Sequence, residues 1–558
     1  MRLERRLPWI VLAAVMALSF VLLMHAGRDT TFYLDDWPVI LNRREWSWFN
    51  LLRPHVDHLQ IFPLAVLKLM FETVGLHDYW VYRALLAVLD ILVGVLLFLY
   101  GRKRIGPWPS IALAACLVLM APSWFNLLYA FQINFVGGMA GGLAALLLLE
   151  RGTRRSDVAA CVCLTIAIGC NGVALPFMAA VGIEILLRGD RWRRIWVPAI
   201  PGALYLIWRA AYGHYANTDV RWQTAQEVPR WLLDGADDSA AAMVGMLAEY
   251  GPALVLGLIV LVVIVLATPG RLTPRFAGVL SLPIVYFGLT GIGRANEITT
   301  QPDENRFLYA GGLMLALVGI EAAQHLRWDR RLTIAVTAVL VWGAALNANA
   351  VENGGNDFRG KSLPGKYGTT ALDIAGTLAP PHFNQADPTQ GGEYLLVAGP
   401  YLQAVADYGS SPGYTREELL AEPDQGRRRG VDDALLRVHG MRVAPVAPTG
   451  RVGRTPPKVT EAVDHTAEAG PGCVTFTPDE RISGVVVELP LPGLVVRGGD
   501  EPAEVRVRRF SRLFGDAPLG TVEPGAAGLV RPAGPDKAPE PFTVEVRSGA
   551  PVDICAAG

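Results

Sequence analysis

The sequence predicts a polytopic α-helical membrane protein with a water-soluble, mainly-β domain at its C-terminal end. Three observations carry that fold class. Hydrophobic residues fill 52% of the 558 positions and charged residues only 18%, against roughly 25% charged in an ordinary soluble chain. Apolar windows of about 17–20 residues, the length that crosses a bilayer core, recur up to about position 350 and are absent after it. The arginines between those windows fall in alternate loops. The formal net charge of −1 excludes the basic footprint of a nucleic-acid binder, and the apolar content excludes disorder over most of the chain.

Eleven spans are expected, at 8–26, 81–100, 109–127, 131–149, 157–171, 173–188, 195–212, 250–268, 276–293, 307–325 and 331–349. Arg2, Arg5 and Arg6 precede the first, so the N-terminus is expected in the cytoplasm of a plasma-membrane protein. The other loops on that side carry Arg102, Lys103 and Arg104, then Arg151, Arg154 and Arg155, then Arg191, Arg193 and Arg194, then Arg271 and Arg275, then Arg327, Arg330 and Arg331. Every loop assigned to the inside is basic, as the positive-inside rule requires. A twelfth apolar stretch, 61–76, is short and carries Lys68 and Glu72. It reads as an interfacial or re-entrant helix, because counting it as a span would put every later arginine cluster outside. The first window is long and followed by no small-x-small cleavage site, which favours an uncleaved span over a signal peptide.

Eleven spans from a cytoplasmic start leave the C-terminus outside. The expected organisation is a transmembrane domain over 1–350, a mixed linker or α/β region over 351–469 and a small β-sandwich over 470–558. Alternating runs at Ser483–Leu489, Leu494–Val496, Glu504–Arg508 and Phe542–Val546 read as strands. Cys473 precedes the first and Cys555 follows the last. An outside location permits a disulfide that clasps the two ends of the sandwich; two free thiols are the alternative.

Chemistry concentrates in the first outside loop, 27–80. Asp35 and Asp36 follow the first span by about nine residues and are flanked by Phe32, Tyr33, Leu34 and Trp37. Adjacent carboxylates near a membrane surface are costly unless they bind something; they can serve as a general base, hold a divalent cation such as Mg or Mn, or do both. Asp-Asp-Trp-Pro is equally acceptable as a solvated turn. His55, Asp57 and His58 follow. Their spacing specifies no zinc site, so substrate contact, acid–base work or simple bonding to loop backbone all stay open.

The order Tyr33-Leu34-Asp35-Asp36-Trp37, then His58-Leu59-Gln60-Ile61-Phe62-Pro63-Leu64, then Gly75-Leu76-His77-Asp78-Tyr79-Trp80 and Arg83 resembles the GT-C superfamily of integral-membrane glycosyltransferases. The span count with an outside C-terminal domain resembles its actinobacterial cell-wall members. The motif likeness covers about residues 8–100, and the chain shows no second Asp-x-Asp loop. The resemblance implies a polyprenyl-phosphate sugar donor, an extracytoplasmic glycan, glycolipid or protein acceptor, and a surrounding of membrane lipid. It assigns Asp36 as base with Asp35 positioning it. It also places a cation for the phosphate at Arg294 or Arg306, where Arg306 and Tyr309 resemble the Arg-Tyr element that opens a late span. A guanidinium suits phosphate, and snorkelling from a helix end is the alternative.

Gln132, Asn134 and Asn171, with Trp124 and Tyr129, fall in turns on the same side and are candidate pocket walls. Glu297, Asp303 and Glu304 share the loop that joins Arg294 to Arg306. Two other function classes remain. A transporter or flippase for a lipid-linked sugar should carry charges in mid-span, and Asp90 and Glu184 are the candidates. A non-catalytic scaffold would use only its outside domain.

Overall fold

The computed structural model describes residues 2–216, 222–295, 300–385, 396–463, 465–479 and 483–558. The chain folds as two compact units. One comprises Met1–Thr30, Arg43–Val74 and Asp78–Lys361; the other comprises Thr31–Asn42, Gly75–His77 and Ser362–Gly558.

The first unit is a helical bundle, and all eleven expected windows are helical in it. Among the described residues, seven helices are long and apolar enough to cross a membrane: Arg6–Ala26, Tyr79–Gly101, Ala130–Leu149, Ala248–Ala267, Pro274–Arg294, Asn305–Ala323 and Arg330–Leu378. The 109–127 window is a bent pair, Pro107–Val118 and Ala121–Leu128, which makes an eighth if it is one broken span. The windows at 157–171, 173–188 and 195–212 form Arg154–Cys170, Leu175–Leu186 and Trp196–Tyr212, of 17, 12 and 17 residues. By length and composition the count is therefore seven or eight, below the expected eleven. The first two of these helices are cut short where Asn171 leaves helical geometry and its side chain accepts the Val173 N–H to start a new turn.

The stretch at 61–76 forms the short helix Ile61–Thr73. Its Lys68 is buried and donates to the carbonyls of Arg43, Arg44 and Glu45 at 2.5, 2.7 and 3.0 Å. The charge that argued against a span thus closes the backbone of residues 43–45. Elsewhere small residues set the helix spacing. A Cβ on Gly141 would lie 2.9 Å from the Cys163 carbonyl and the Ala167 Cβ, so glycine there lets Ile133–Leu149 and Arg154–Cys170 approach closely. The helix Val228–Met243 lies between expected spans and was not anticipated. Its Gly235 leaves room for the Phe287 ring.

The arginines expected in inside loops do more than meet solvent. Arg104 bonds Glu321 at 2.7 Å, Arg275 meets Glu184 at 2.7 Å, and Arg194 grips Asp157 at 2.5 and 2.9 Å. All three arginine side chains are at most 10% exposed, so the charges are buried as pairs.

The longest stretch of the second unit, Ser362–Gly558, opens within a helix that starts in the first unit. Arg330–Ala375 runs unbroken through position 350, where the sequence placed a domain boundary. A hairpin of β1 (Asn384–Gln385) and β2 (Leu396–Val397) follows, then the helices Ala398–Tyr408, Arg416–Ala421 and Gln425–Val438. The strands are β3 (Ala444–Val446), β4 (Val459–Val463), β5 (His465–Ala469), β6 (Cys473–Pro478), β7 (Ser483–Glu488), β8 (Leu494–Arg497), β9 (Ala503–Arg508), β10 (Gly520–Val522), β11 (Ala527–Val530), β12 (Thr543–Ser548) and β13 (Val552–Ala556). They form two antiparallel sheets, ordered β10-β9-β12-β7-β4 and β3-β11-β8-β13-β6-β5.

Residues two apart are buried together: Val485 with Val487, Val544 with Val546, Leu494 with Val496, Val474 with Phe476. That period of two is the signature of a sandwich. The sandwich begins with β3, earlier than the expected position 470. Cys473 and Cys555 are disulfide-bonded, but they face each other across adjacent strands β6 and β13 of one sheet. The bond therefore staples two neighbouring strands and does not clasp the two ends of the fold.

Candidate active site

The Asp-Asp pair belongs to the second unit, in the turn that opens the short helix Asp36–Asn42. Leu34 adopts φ +44°, a left-handed conformation that tightens the turn. The Asp36 carboxylate folds back so that Oδ2 accepts the Tyr33 N–H at 3.0 Å. Asp36 is 1% exposed, while Asp35 is half-buried. Burial pushes the Asp36 carboxyl well above the ordinary carboxylate range; the Tyr33 N–H opposes that shift and the neighbouring Asp35 charge adds to it. Such a carboxylate is a stronger base than a solvated aspartate.

The same pair was a candidate for Mg or Mn. Among the described residues no group of three or more His, Cys, Asp or Glu side chains gathers to hold an ion. Asp35 and Asp36 stand as two adjacent carboxylates, one of them bonded to backbone.

The histidine segment belongs to the first unit. His55 and His58 exchange both backbone hydrogen bonds at 3.1 Å, closing a tight turn that leaves Val56 at φ +56°. For a β-branched residue that conformation is strained, and strain of this kind persists only where the surroundings impose it. They do so here. Arg43 is buried and donates to the carbonyls of Asn50, Arg53 and Pro54 at 3.1, 3.1 and 2.6 Å. Trp208 donates to Leu52 at 2.7 Å, and the His55 ring lies 5.0 Å from that of Phe131. The His58 ring occupies space that a Cβ on Gly172 would fill, 2.9 Å from Nδ1.

The turn presents Asp57 and His58 to the cations. Arg294 bonds Asp57 at 3.1 Å, and His58 Nε2 stands 4.0 Å from Asp57. Burial lowers the His58 pKa; Asp57 opposes, while Arg294, His55 and Arg306 add to the lowering. A neutral His58 can both accept and donate a hydrogen bond. Arg306 meets Glu304 at 2.7 Å and Thr300 at 3.4 Å. Asp57, His58, Arg294 and Arg306 thus form one electrostatic neighbourhood in the first unit, in which Arg294 is paired with Asp57 and Arg306 with Glu304.

The remaining candidates divide. Asn171 donates to Asn134 at 3.1 Å, and Asn134 donates to the Phe131 carbonyl at 2.8 Å. Gln132 pairs with Asn126 at 3.2 Å. These amides are buried in a network that reaches the Phe131 ring under His55. Tyr309 is turned away from the Arg294 group: it is fully buried and its hydroxyl donates to Asp90. Trp124 stacks on Phe358 at 5.8 Å inside the unit. Glu297 lies outside the described residues.

Reading the sequence missed Arg43, Lys68 as a backbone clamp, Phe131 and Gly172. Two signals were available. Arg43 and Lys68 are charges next to apolar runs, and Gly172 follows an asparagine between two helices.

The sequence matches no family model, and no curated protein matches it. Among solved structures the chain is similar to ArnT from Cupriavidus metallidurans bound to undecaprenyl phosphate, with TM-score 0.42 and 14% identity over 66% of this chain and 80% of that one. It is also similar to the arabinosyltransferase EmbB from Mycobacterium smegmatis, with TM-score 0.39 and 13% identity over 97% of this chain and 64% of that one.

Proposed function

We propose that the chain is a GT-C-type membrane glycosyltransferase that moves a sugar from a polyprenyl-phosphate donor to a glycan, glycolipid or protein acceptor on the outer face of the plasma membrane. The observation that carries this reading is Asp36, a buried carboxylate of raised basicity in the loop that follows the first membrane helix.

The reaction asks for two things. As the acceptor oxygen attacks the anomeric carbon it must lose its proton, and Asp36 takes it, with Asp35 beside it to hold its position and charge. The bond between that carbon and the phosphate oxygen breaks, and the phosphate leaves with the electron pair. The growing negative charge needs cations placed in advance, a role that suits Arg294 and Arg306, with His58 as a hydrogen-bonding partner. Arg43 and Lys68 tie the backbone of residues 43–54 ahead of His58 by hydrogen bonds to its carbonyls.

The mid-span carboxylates support an enzyme over a transporter. Asp90 accepts the Tyr309 hydroxyl, and Glu184 is paired with Arg275 and Arg188. Both contacts hold helices of the bundle together.

The test is transfer from a radiolabelled polyprenyl-phosphate sugar by detergent-purified Asp36→Asn and Asp35→Asn proteins, checked for native insertion. Asp36→Asn is expected to lose transfer. Full transfer by both variants would remove the catalytic assignment.

A further inference from the structure

The cations of the loops expected on the cytoplasmic side are of two kinds. Arg104 and Arg275 are buried against carboxylates, Lys103 lies 3.6 Å from Glu150, and Arg102 sits over the Trp9 ring at 4.8 Å. The bundle itself uses those charges. Arg151, Arg154 and Arg155 of one loop, and Arg191 and Arg193 of another, are different. All are exposed, and among the described residues none makes an ion pair.

Arg194 brings these two loops together. Its guanidinium grips the Asp157 carboxylate at 2.5 and 2.9 Å and donates to the Leu149 carbonyl at 3.1 Å. Leu149 ends the helix Ile133–Leu149, and Asp157 lies in the first turn of Arg154–Cys170. One buried side chain therefore fastens both ends of the segment 150–156 to the turn at 190–194. The acids of these loops are already occupied: Glu150 by Arg104, Asp157 by Arg194, and Asp190, 3.7 Å from Arg194. What is left is a group of uncompensated guanidiniums beside an indole. Trp192 is 79% exposed, and Arg191 lies over its ring at 5.7 Å.

Apolar surface continues from the charge. Arg154, Val158, Val162 and Ile166 follow one another at four-residue spacing along Arg154–Cys170, which puts them on one face. Val158, Val162 and Ile166 are exposed, as are Leu186 and Leu187 just ahead of the turn that carries Arg191. Free phosphate would satisfy the arginines and leave this stripe bare. A lipid with a neutral headgroup would cover the stripe and leave the arginines without a counter-charge. An anionic phospholipid meets both: its phosphate suits the planar guanidiniums, its chains lie along the stripe, and the indole sits at headgroup level. Basic clusters at the membrane surface are the arrangement that takes anionic headgroups.

We propose that residues 151–155 and 191–193 form a binding site for an anionic phospholipid of the surrounding membrane, assembled by the Arg194–Asp157 clamp. The site takes no part in sugar transfer and does not depend on it.

Full-length protein, delipidated in neutral detergent, is titrated with phosphatidylglycerol or phosphatidylcholine, and bound lipid is read by native mass spectrometry. Phosphatidylglycerol is expected to bind more tightly by about 10-fold. Arg154→Gln/Arg155→Gln/Arg191→Gln/Arg193→Gln should abolish that preference. Should the fourfold variant unfold, Arg191→Gln/Arg193→Gln alters only exposed side chains outside the clamp and should reduce the preference several-fold. Arg327→Gln/Arg330→Gln/Arg331→Gln removes comparable charge from another basic loop and should leave it intact. Equal binding of the two lipids, or an equal loss on changing Arg327, Arg330 and Arg331, would overturn the site. Displacement of the lipid by an equal concentration of inorganic phosphate would also overturn it and assign a soluble anion. Poly-glutamate bound in place of lipid would overturn it in favour of an acidic protein.

Discussion

The two units solve the problem of burial in opposite ways. In the sandwich, the core is built from apolar residues that recur at every second position, with only a few charges buried, such as Arg508 and Glu545. In the bundle, Leu256, Ile259, Val260, Val263 and Ile264 of one helix all lie on the surface, while Arg104, Arg194, Arg275, Glu184 and Glu321 are buried. Water rewards burying apolar area, so the sandwich follows the ordinary rule. A bilayer gives no such reward, because lipid tails are as apolar as leucine. Helix association there rests on close packing at small residues and on polar groups that find partners. The two arrangements make different predictions when polar groups are removed.

The largest effect is expected on chemistry. Asp36→Asn should cut transfer by about 10²–10⁴-fold with little change in folding, measured as kcat on equal amounts of inserted protein. The pH profile sharpens this. Burial raises the Asp36 carboxyl, so its basic form is lost as pH falls through that raised value. The acid limb of kcat/KM should therefore sit above the ordinary aspartate range near ~4 and vanish in Asp36→Asn. A limb unmoved by the substitution would assign it to another group.

Next is the buried ion pair of the second unit. Arg509 grips Asp536 at 2.5 and 3.0 Å and His439 meets it at 3.0 Å, all nearly fully buried. Asp536→Ala strands two buried nitrogen groups and should cost about 3–5 kcal/mol, read by denaturant unfolding of the β-rich unit. The pH dependence has a definite sign. Burial alone would raise Asp536, but the hydrogen bonds from His439 and Arg509 hold it at about 2. A depressed carboxyl stabilises the fold above its unfolded value near ~4. That contribution is lost as pH falls toward 2, and the Ala variant should lack it. An unchanged acid midpoint in that variant would contradict the pairing.

Reducing the Cys473–Cys555 bond comes third. It closes a loop of sequence separation 82, and its loss should cost about 2–4 kcal/mol, seen as a lower melting temperature of the β-rich unit with dithiothreitol and no change in the bundle. The smallest effect is expected from Arg294→Lys, which keeps the charge opposite Asp57 but loses the planar fork. Transfer should fall several-fold, and Arg294→Ala should fall further. Equal activity of the two would argue against a role for the guanidinium.

Much of this was legible without coordinates. Among the described residues, each helix long and apolar enough to cross a membrane overlaps one of the apolar windows, because length and composition are local properties. The stretch at 61–76, marked by Lys68 and Glu72, forms a short helix of 13 residues. Four of the strands were visible from their alternation. The short strands β4, β5, β10 and β11 were not, since three to five polar or small residues carry too weak a period to read. The boundary at 350 failed because a helix can continue past the point where its residues turn polar, as Arg330–Ala375 does.

The sequence by itself determined which residues are apolar, where basic residues punctuate them, and that two carboxylates follow the first span; these depend on neighbours along the chain. Tertiary structure alone decided that Tyr309 serves Asp90, that Arg294 faces Asp57, that the cysteines join neighbouring strands, and that Ser411 and Tyr401 close on Asp373. Those partners are 28 to 237 positions apart, apart from Ser411 and Tyr401, whose shared acceptor is distant. No local rule fixes such pairs, because they form only where burial leaves a polar group with no water to turn to.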